Sequence, residues 1–307
     1  MLTPQQRTTY REDGYLVLPG FKSHEAMAAL RARATAIVEA FDPAESQSIF
    51  TTNDQTRTAD AYFMGSADTI RCFFEEEAFA EGGPRKGQLK QAKALSINKI
   101  GHAMHDLDPV FAAFSHGPAL AELAADLGLI DPQIWQSQYI FKQPGIGGEV
   151  RWHQDATFFE TAPQSVTTFW FALEDATVDN GCLWAEPGGH RGRRGVLRER
   201  FVRTSADAAS GDNGAINATR PTIRPAISPV AMETLDATPW PDQSSAVALE
   251  VAAGTLIVFH GLLPHYSAAN RSPHSRHAYT LHATDGRAAY SARNWLQRNS
   301  GLPVRGF

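Results

Sequence analysis

The chain has 307 residues, room for one large domain or two smaller ones and enough to bury a core without disulfides or a structural metal. Hydrophobic residues make up 43% and charged residues 20%, which excludes a largely disordered, collagen-like or coiled-coil chain. With 28 Lys and Arg against 33 Asp and Glu, the formal charge of -5 gives no global positive field for nucleic acid or an anionic membrane.

Thr3-Pro4-x-Gln6 reads as a capping box that opens a first helix. Tyr15–Leu18 reads as a short strand ended by Pro19-Gly20. Ser23 caps a second helix, whose apolar stripe is Met27, Leu30, Ala34, Ile37 and Phe41. Residues 117–128 form another helix, with Leu120, Leu123, Ala124 and Leu127 inward and Gly128 as its stop. The first 130 or so residues therefore read as mainly helical.

From about residue 133 the period changes to two. Gln133–Gln143 places Trp135, Ser137, Tyr139 and Phe141 on one face and Gln136, Gln138, Ile140 and Lys142 on the other. Ser165–Leu173, Val247–Val251, Thr255–His260 and Arg276–Ala283 are further strands between Gly, Pro and Asn turns. Residues 204–245, rich in Ser, Asp, Asn, Gly, Thr and Pro, read as a long excursion between strands. The expected fold is α+β, mainly β: a single domain over 1–307, with a helix-rich part at about 1–130 flanking a core at about 131–290. That core is expected to be a double-stranded β-helix of the jelly-roll, cupin-like type.

Cys72 and Cys182 form no CxxC pair, which suits a reducing compartment better than a disulfide scaffold. Neither a signal-peptide core nor an apolar run near the ~18 residues of a membrane helix is visible. The C-terminal residues are not a Ser-Lys-Leu address. The expectation is a cytoplasmic protein that takes a small-molecule substrate, with no nucleic-acid or membrane partner. Nothing in the pattern compels an oligomer, which favours a monomer.

The sharpest chemical feature is Trp152-His153-Gln154-Asp155. On a strand, His153 and Asp155 share a face and can grip one ion. The third ligand is sought in Phe259-His260-Gly-Leu-Leu-Pro-His265, with His265 the first choice and His260 its rival. Two histidines and a carboxylate on one side of an ion leave the opposite positions open, the pattern of non-haem Fe(II) oxygenases. Eleven residues after His265 stands Arg276, placed to clamp a carboxylate in two-pronged fashion.

Many stretches then resemble the phytanoyl-CoA dioxygenase family of Fe(II)/2-oxoglutarate oxygenases, most nearly its branch of domain-containing protein 1 sequences. They include Asp13–Phe21, Arg71–Phe79, Asn98–His102, Tyr139–Pro144, Gly148–Val150 running into the His-Gln-Asp motif, and Glu174-Asp-Ala-Thr. Asn180–Trp184, Pro187–His190, Arg276-x-Ala-Tyr-Thr280 and Asn294–Gln297 continue the series.

The resemblance implies that His153, Asp155 and His265 hold Fe(II), and that Arg276 pairs with the distal carboxylate of 2-oxoglutarate. It places Lys99, Gln138 and Trp170 in the 2-oxoglutarate pocket, with Gln138 departing from an expected methionine; Ser267 adds a hydroxyl. The implied activity is a dioxygenase using 2-oxoglutarate and O2, hydroxylating or desaturating a small organic substrate and releasing succinate and CO2. Related halogenases carry a small residue where this chain keeps Asp155. A cupin-like metalloenzyme without 2-oxoglutarate, and a non-catalytic ligand-binding relative, stay open; Arg276 speaks against the first and the intact triad against the second. The run Arg191, Arg193, Arg194, Arg198, Arg200 and Arg203 offers charges for an acyl-CoA or, equally, a solvated loop. Asn53–Phe63, the 204–245 excursion and Asn294-Trp295 are candidate substrate contacts.

Overall fold

β-branched and aromatic runs separated by turns pair into two large antiparallel sheets and two two-stranded ones, in a computed structural model that describes residues 1–54, 59–82, 86–204 and 228–307. In chain order the strands begin β1 (Tyr15–Leu18), β2 (Ile70–Phe74), β3 (Ile97–His102), β4 (Pro132–Ile140), β5 (Val150–His153), β6 (Thr161–Ala162), β7 (Thr167–Ala172) and β8 (Leu183–Ala185). There follow β9 (Glu199–Arg203), β10 (Val230–Thr234), β11 (Val247–Leu249), β12 (Leu256–His260), β13 (His265–Ser267), β14 (Ala278–Asp285) and β15 (Ala289–Tyr290). The larger sheet has seven strands in the order β1-β12-β7-β14-β4-β3-β2, and the smaller has four in the order β11-β8-β13-β5; the two-stranded sheets join β9 with β10 and β6 with β15. From β4 to β14 the chain crosses back and forth: β4, β7, β12 and β14 lie in the larger sheet, β5, β8, β11 and β13 in the smaller. Among the described residues these are two separate sheets rather than one closed barrel.

The central strands β7, β12 and β14 are buried almost throughout, because the larger sheet is covered on both faces. Its outer face carries Tyr139, Phe141, Phe169, Phe171, Tyr279 and Leu281 against Leu30, Ala34 and Val38 of the helix His24–Ala40. Helices Pro109–Ser115 and Pro118–Asp126 add Phe111, Phe114, Leu120 and Leu123 to the same core. The first helix, Pro4–Asp13, has the expected capping box, with the Thr3 side chain accepting from the Gln6 backbone N–H and the Gln6 side chain accepting from that of Thr3. No helix among the described residues is long and apolar enough to cross a membrane.

Several expectations need correction. The first 130 residues are helix-rich, as expected, but they also supply β1, β2 and β3 to the larger sheet. β2 and β3 lack a legible alternation because residues of both their faces are buried. In the second helix Val38 is buried where Ile37 was expected, while Ile37 and Phe41 are only half-buried. Phe41 is the C-cap, with extended backbone, so the stripe ends before it. Trp135 does not share the face of Ser137, Tyr139 and Phe141. The β14–β4 register slips between His282 and Ala283, so Ile134 joins the helix-side core and Trp135 joins a separate cluster with Phe159 and Trp295. Of the 204–245 excursion, β10 returns to pair with β9; residues 205–227, like 55–58 of the Asn53–Phe63 segment, lie outside the described residues.

Candidate metal centre and its cavity

His153 ends β5, and His265 opens β13 directly opposite it across the antiparallel pair. Asp155 is not on the same strand as His153, as expected, but opens a single 3-10 turn, Asp155–Thr157. The turn still brings the carboxylate back to the imidazoles. Asp155 Oδ1 lies 3.5 Å from His153 Nε2 and 3.7 Å from His265 Nε2. One ligand atom from each of the three lies within 4.8 Å of the others, a spacing that can hold one metal ion.

The outer contacts orient these ligands. His153 Nδ1 donates to the Arg151 carbonyl at 2.8 Å, and His265 Nδ1 donates to the Leu263 carbonyl at 3.0 Å. Each bond selects the tautomer whose Nε2 lone pair faces the shared point. Thr168 donates its hydroxyl to Asp155 Oδ2, which leaves Oδ1 for the ion. Burial pushes His265 down to about 4, so it is neutral and ready to ligate.

His260, the rival third ligand, lies elsewhere. It packs beside His190, ring centroids 5.0 Å apart, and its Nδ1 accepts from the Leu262 backbone N–H. Sequence reasoning passed over His282. Its Nε2 is 3.7 Å from Asp155 Oδ1, its ring stacks on Phe159 at 5.0 Å, and its buried Nδ1 has no partner. The signal was available: His282 stands six residues after Arg276, an even count that returns to the same strand face.

The inner face of the larger sheet is laid out in rungs. One carries Trp170, Thr280 and Gln138; the next carries Thr168, His282 and Gln136; a third ends at Lys99, opposite Ile140. Together with His265, Ser267 and Leu183 from the smaller sheet they line a cavity of about 130 Å³. Arg276, two residues before β14, is 1% exposed. Its Nε donates to the Gly181 carbonyl at 3.1 Å, and one terminal nitrogen reaches Ser267 Oγ at 3.3 Å. The other terminal nitrogen, NH1, is buried with no partner. The guanidinium lies 5.3 Å from the Trp170 ring centroid. Burial lowers its pKa only to about 10, so the group stays charged at neutral pH. Ser267 Oγ donates to the Gly181 carbonyl at 2.9 Å.

Lys99 is buried, with Nζ 3.3 Å from the Phe50 ring centroid, inside a box completed by Phe63 and Phe73. Gln138 donates its amide to Gln136 Oε1 at 2.9 Å. Trp295 lines the cavity and stacks on Phe63 at 4.5 Å, while Asn294 is buried and bonded to the Glu160 backbone. Of the arginine run, Arg191 and Arg193 are exposed and the other four have protein partners. Arg194 pairs with Glu186, Arg200 with Glu160, Arg203 donates to the Trp295 carbonyl, and Arg198 is buried against Trp240.

Comparison with known proteins agrees in family and in fold. A sequence profile described as Phytanoyl-CoA dioxygenase (PhyH) matches residues 10–278. The chain is 45% identical over 298 residues to "Phytanoyl-CoA dioxygenase" of Arabidopsis thaliana, covering 97% of this chain and 94% of that one. It is 40% identical over 309 residues to "Phytanoyl-CoA dioxygenase domain-containing protein 1" of Mus musculus, covering 98% and 97%. Among solved structures, the non-heme alpha ketoglutarate dependent carbocyclase SnoK superposes with a TM-score of 0.61 at 19% identity, over 99% of this chain and 96% of that one. EctD from S. alaskensis with bound Fe gives 0.60 at 19%, over 100% and 87%. These last two likenesses speak to the fold. On the profile match and the near-complete coverage of its relatives, the chain belongs to the phytanoyl-CoA dioxygenase (PhyH) family.

Proposed function

We propose that this chain is an Fe(II)- and 2-oxoglutarate-dependent dioxygenase that hydroxylates or desaturates a small organic substrate, releasing succinate and CO2. Its core is a double-stranded β-helix within a single domain over 1–307; the strand-by-strand exchange between two four-stranded walls, β4-β14-β7-β12 and β5-β13-β8-β11, supports that reading. The observation that carries the function is a convergence. Two histidine Nε2 atoms and one Asp155 oxygen meet at one end of a cavity lined also by a buried, unpaired arginine N–H.

The residues fit the groups they would hold. His153, Asp155 and His265 supply two imidazoles and a carboxylate, a donor set suited to Fe(II). Arg276 fits the far carboxylate of a keto acid, with Ser267 and Thr280 as neutral partners and Trp170 as a flat wall. Thr280 Oγ1 is itself buried without a partner. When bound, the metal supplies oxygen activation coupled to decarboxylation of the keto acid. The protein's share is geometry. Arg151 and Leu263 carbonyls aim the two imidazoles, Thr168 fixes the carboxylate, and the aromatic side chains Phe63, Phe158, Phe159 and Trp295 keep water from the reacting end. His282 and Gln136 face the same end and offer hydrogen bonds to a substrate.

The test is direct. Anaerobic protein loaded with Fe(II) develops a weak visible charge-transfer band on adding 2-oxoglutarate, and admission of air then yields succinate. Absence of the band in well-folded, iron-loaded protein would refute the assignment.

A further inference from the structure

Lys142 has no role in the proposal above, yet it is 2% exposed and lines the same cavity. Its Nζ donates to the Gly148 carbonyl at 2.7 Å and to the Ser267 carbonyl at 3.4 Å. An ammonium has three donors, so one N–H is left over. The same Ser267 takes a guanidinium nitrogen of Arg276 on its hydroxyl at 3.3 Å. The two cations thus meet at one residue. Gly181 closes the group: its carbonyl accepts from Arg276, and a Cβ added to it would sit 2.7 Å from Lys142 Cε.

Charge makes the arrangement informative. Among the described residues, no carboxylate lies in ion-pair contact with Lys142 or Arg276; their protein acceptors are carbonyls and a hydroxyl. Glu75 spends Oε2 on Asn98 at 2.7 Å and on the Gly148 N–H at 3.0 Å, and with Glu149 acts on Lys142 only through space, without an ion-pair contact. Two buried like charges without a counter-ion are costly unless a ligand supplies one. Burial and the neighbouring Arg276 both press Lys142 well below its usual pKa, and an arriving anion relieves both. The backbone of Lys142 is held at φ 42, a left-handed conformation that a non-glycine residue adopts at a cost.

We propose that Lys142 is the cation that partners Arg276 at the far end of the co-substrate site, apart from Lys99: beside Arg276 it receives the keto acid's carboxylate farthest from the metal, and so selects a dianionic over a monoanionic 2-oxoacid. The inference rests on the 2-oxoglutarate reading above. A single arginine suffices to hold a carboxylate; a second buried ammonium adds a charge that a methyl-ended keto acid cannot satisfy.

The test uses the Fe(II)-loaded protein without oxygen, reading the charge-transfer band rather than turnover. 2-Oxoglutarate and 2-oxopentanoate, which carries a methyl in place of the distal carboxylate, are titrated into wild type, Lys142→Met and Lys142→Arg. Lys142→Met should bind 2-oxoglutarate weaker by on the order of tenfold to a hundredfold, while 2-oxopentanoate hardly changes, so that the preference collapses. Lys142→Arg should retain most of the preference. Equal weakening of both ligands, or no change in either, would overturn the proposal and leave Lys142 as a strut between the Gly148 and Ser267 carbonyls. Should Lys142→Met fail to fold, Lys142→Gln, which keeps donors for those carbonyls, is read in the same way. A wild-type protein without any band would instead overturn the underlying 2-oxoglutarate reading.

Discussion

Replacing Arg276 by methionine separates binding from stability. In the metal-loaded protein, the arginine offers a distal carboxylate two charge-assisted donors, each worth about 1.5–3 kcal/mol. Taking the lower figure twice, Arg276→Met should weaken 2-oxoglutarate by about 3 kcal/mol, roughly 150-fold. The ligand-free fold should respond in the opposite sense. Arg276 is a buried cation with one nitrogen unpaired and no carboxylate partner among the described residues. Removing it forfeits two hydrogen bonds of about 1 kcal/mol each but relieves the desolvation of a charge, which costs several kcal/mol. The Gly181 carbonyl keeps its bond from Ser267 Oγ at 2.9 Å, so it is not orphaned. The net is a gain of about 0–2 kcal/mol, or a Tm unchanged to about 4 °C higher. Thermal melts of the free protein, paired with anaerobic 2-oxoglutarate titrations, read both quantities. A variant that melts more than ~5 °C lower while still binding 2-oxoglutarate would show that Arg276 props the sheets rather than the co-substrate, against the counter-ion reasoning.

Asp155→Ala should lose both the charge-transfer band and succinate release; normal succinate output would rule out the carboxylate as a ligand. Gly181→Ala should destabilise by more than the ~1–2 kcal/mol of a left-handed alanine, because its Cβ would also meet the Ala268 carbonyl at 2.7 Å. Gly20→Ala, at φ +64 with nothing within 4 Å, should show the backbone cost alone, and equal losses in urea melts would count against the crowding at Gly181. Burial holds His260 near pKa 4, with His190 adding to the shift. A histidine whose folded pKa lies below its unfolded value stabilises nothing extra above pH ~6.5 and costs stability as pH falls from there toward 4. At pH 5 the cost is about 1–2 kcal/mol, and His260→Leu should flatten the stability profile between pH 7.5 and 5; an unchanged slope would show that His260 is not buried neutral.

The sequence by itself specified the local chemistry. Alternation through Gln136, Gln138 and Ile140 determined which side chains of β4 look into the cavity, since a strand has no other way to divide its faces. The His153–Asp155 pair is likewise local, set by a spacing of two. Distance in the fold was another matter. That His265 and not His260 faces Asp155 depends on β13 lying opposite β5, a pairing between segments more than a hundred residues apart. β2 and β3 gave no alternating signal because packing on both faces removes the need for a polar side. The slip that frees Trp135 from its expected face is a property of the β14–β4 register and not of either segment alone. His282, Lys142 and Arg276 acquire their meaning only where two sheets enclose them, for a charge without a counter-ion is ordinary in water and costly only once solvent is gone.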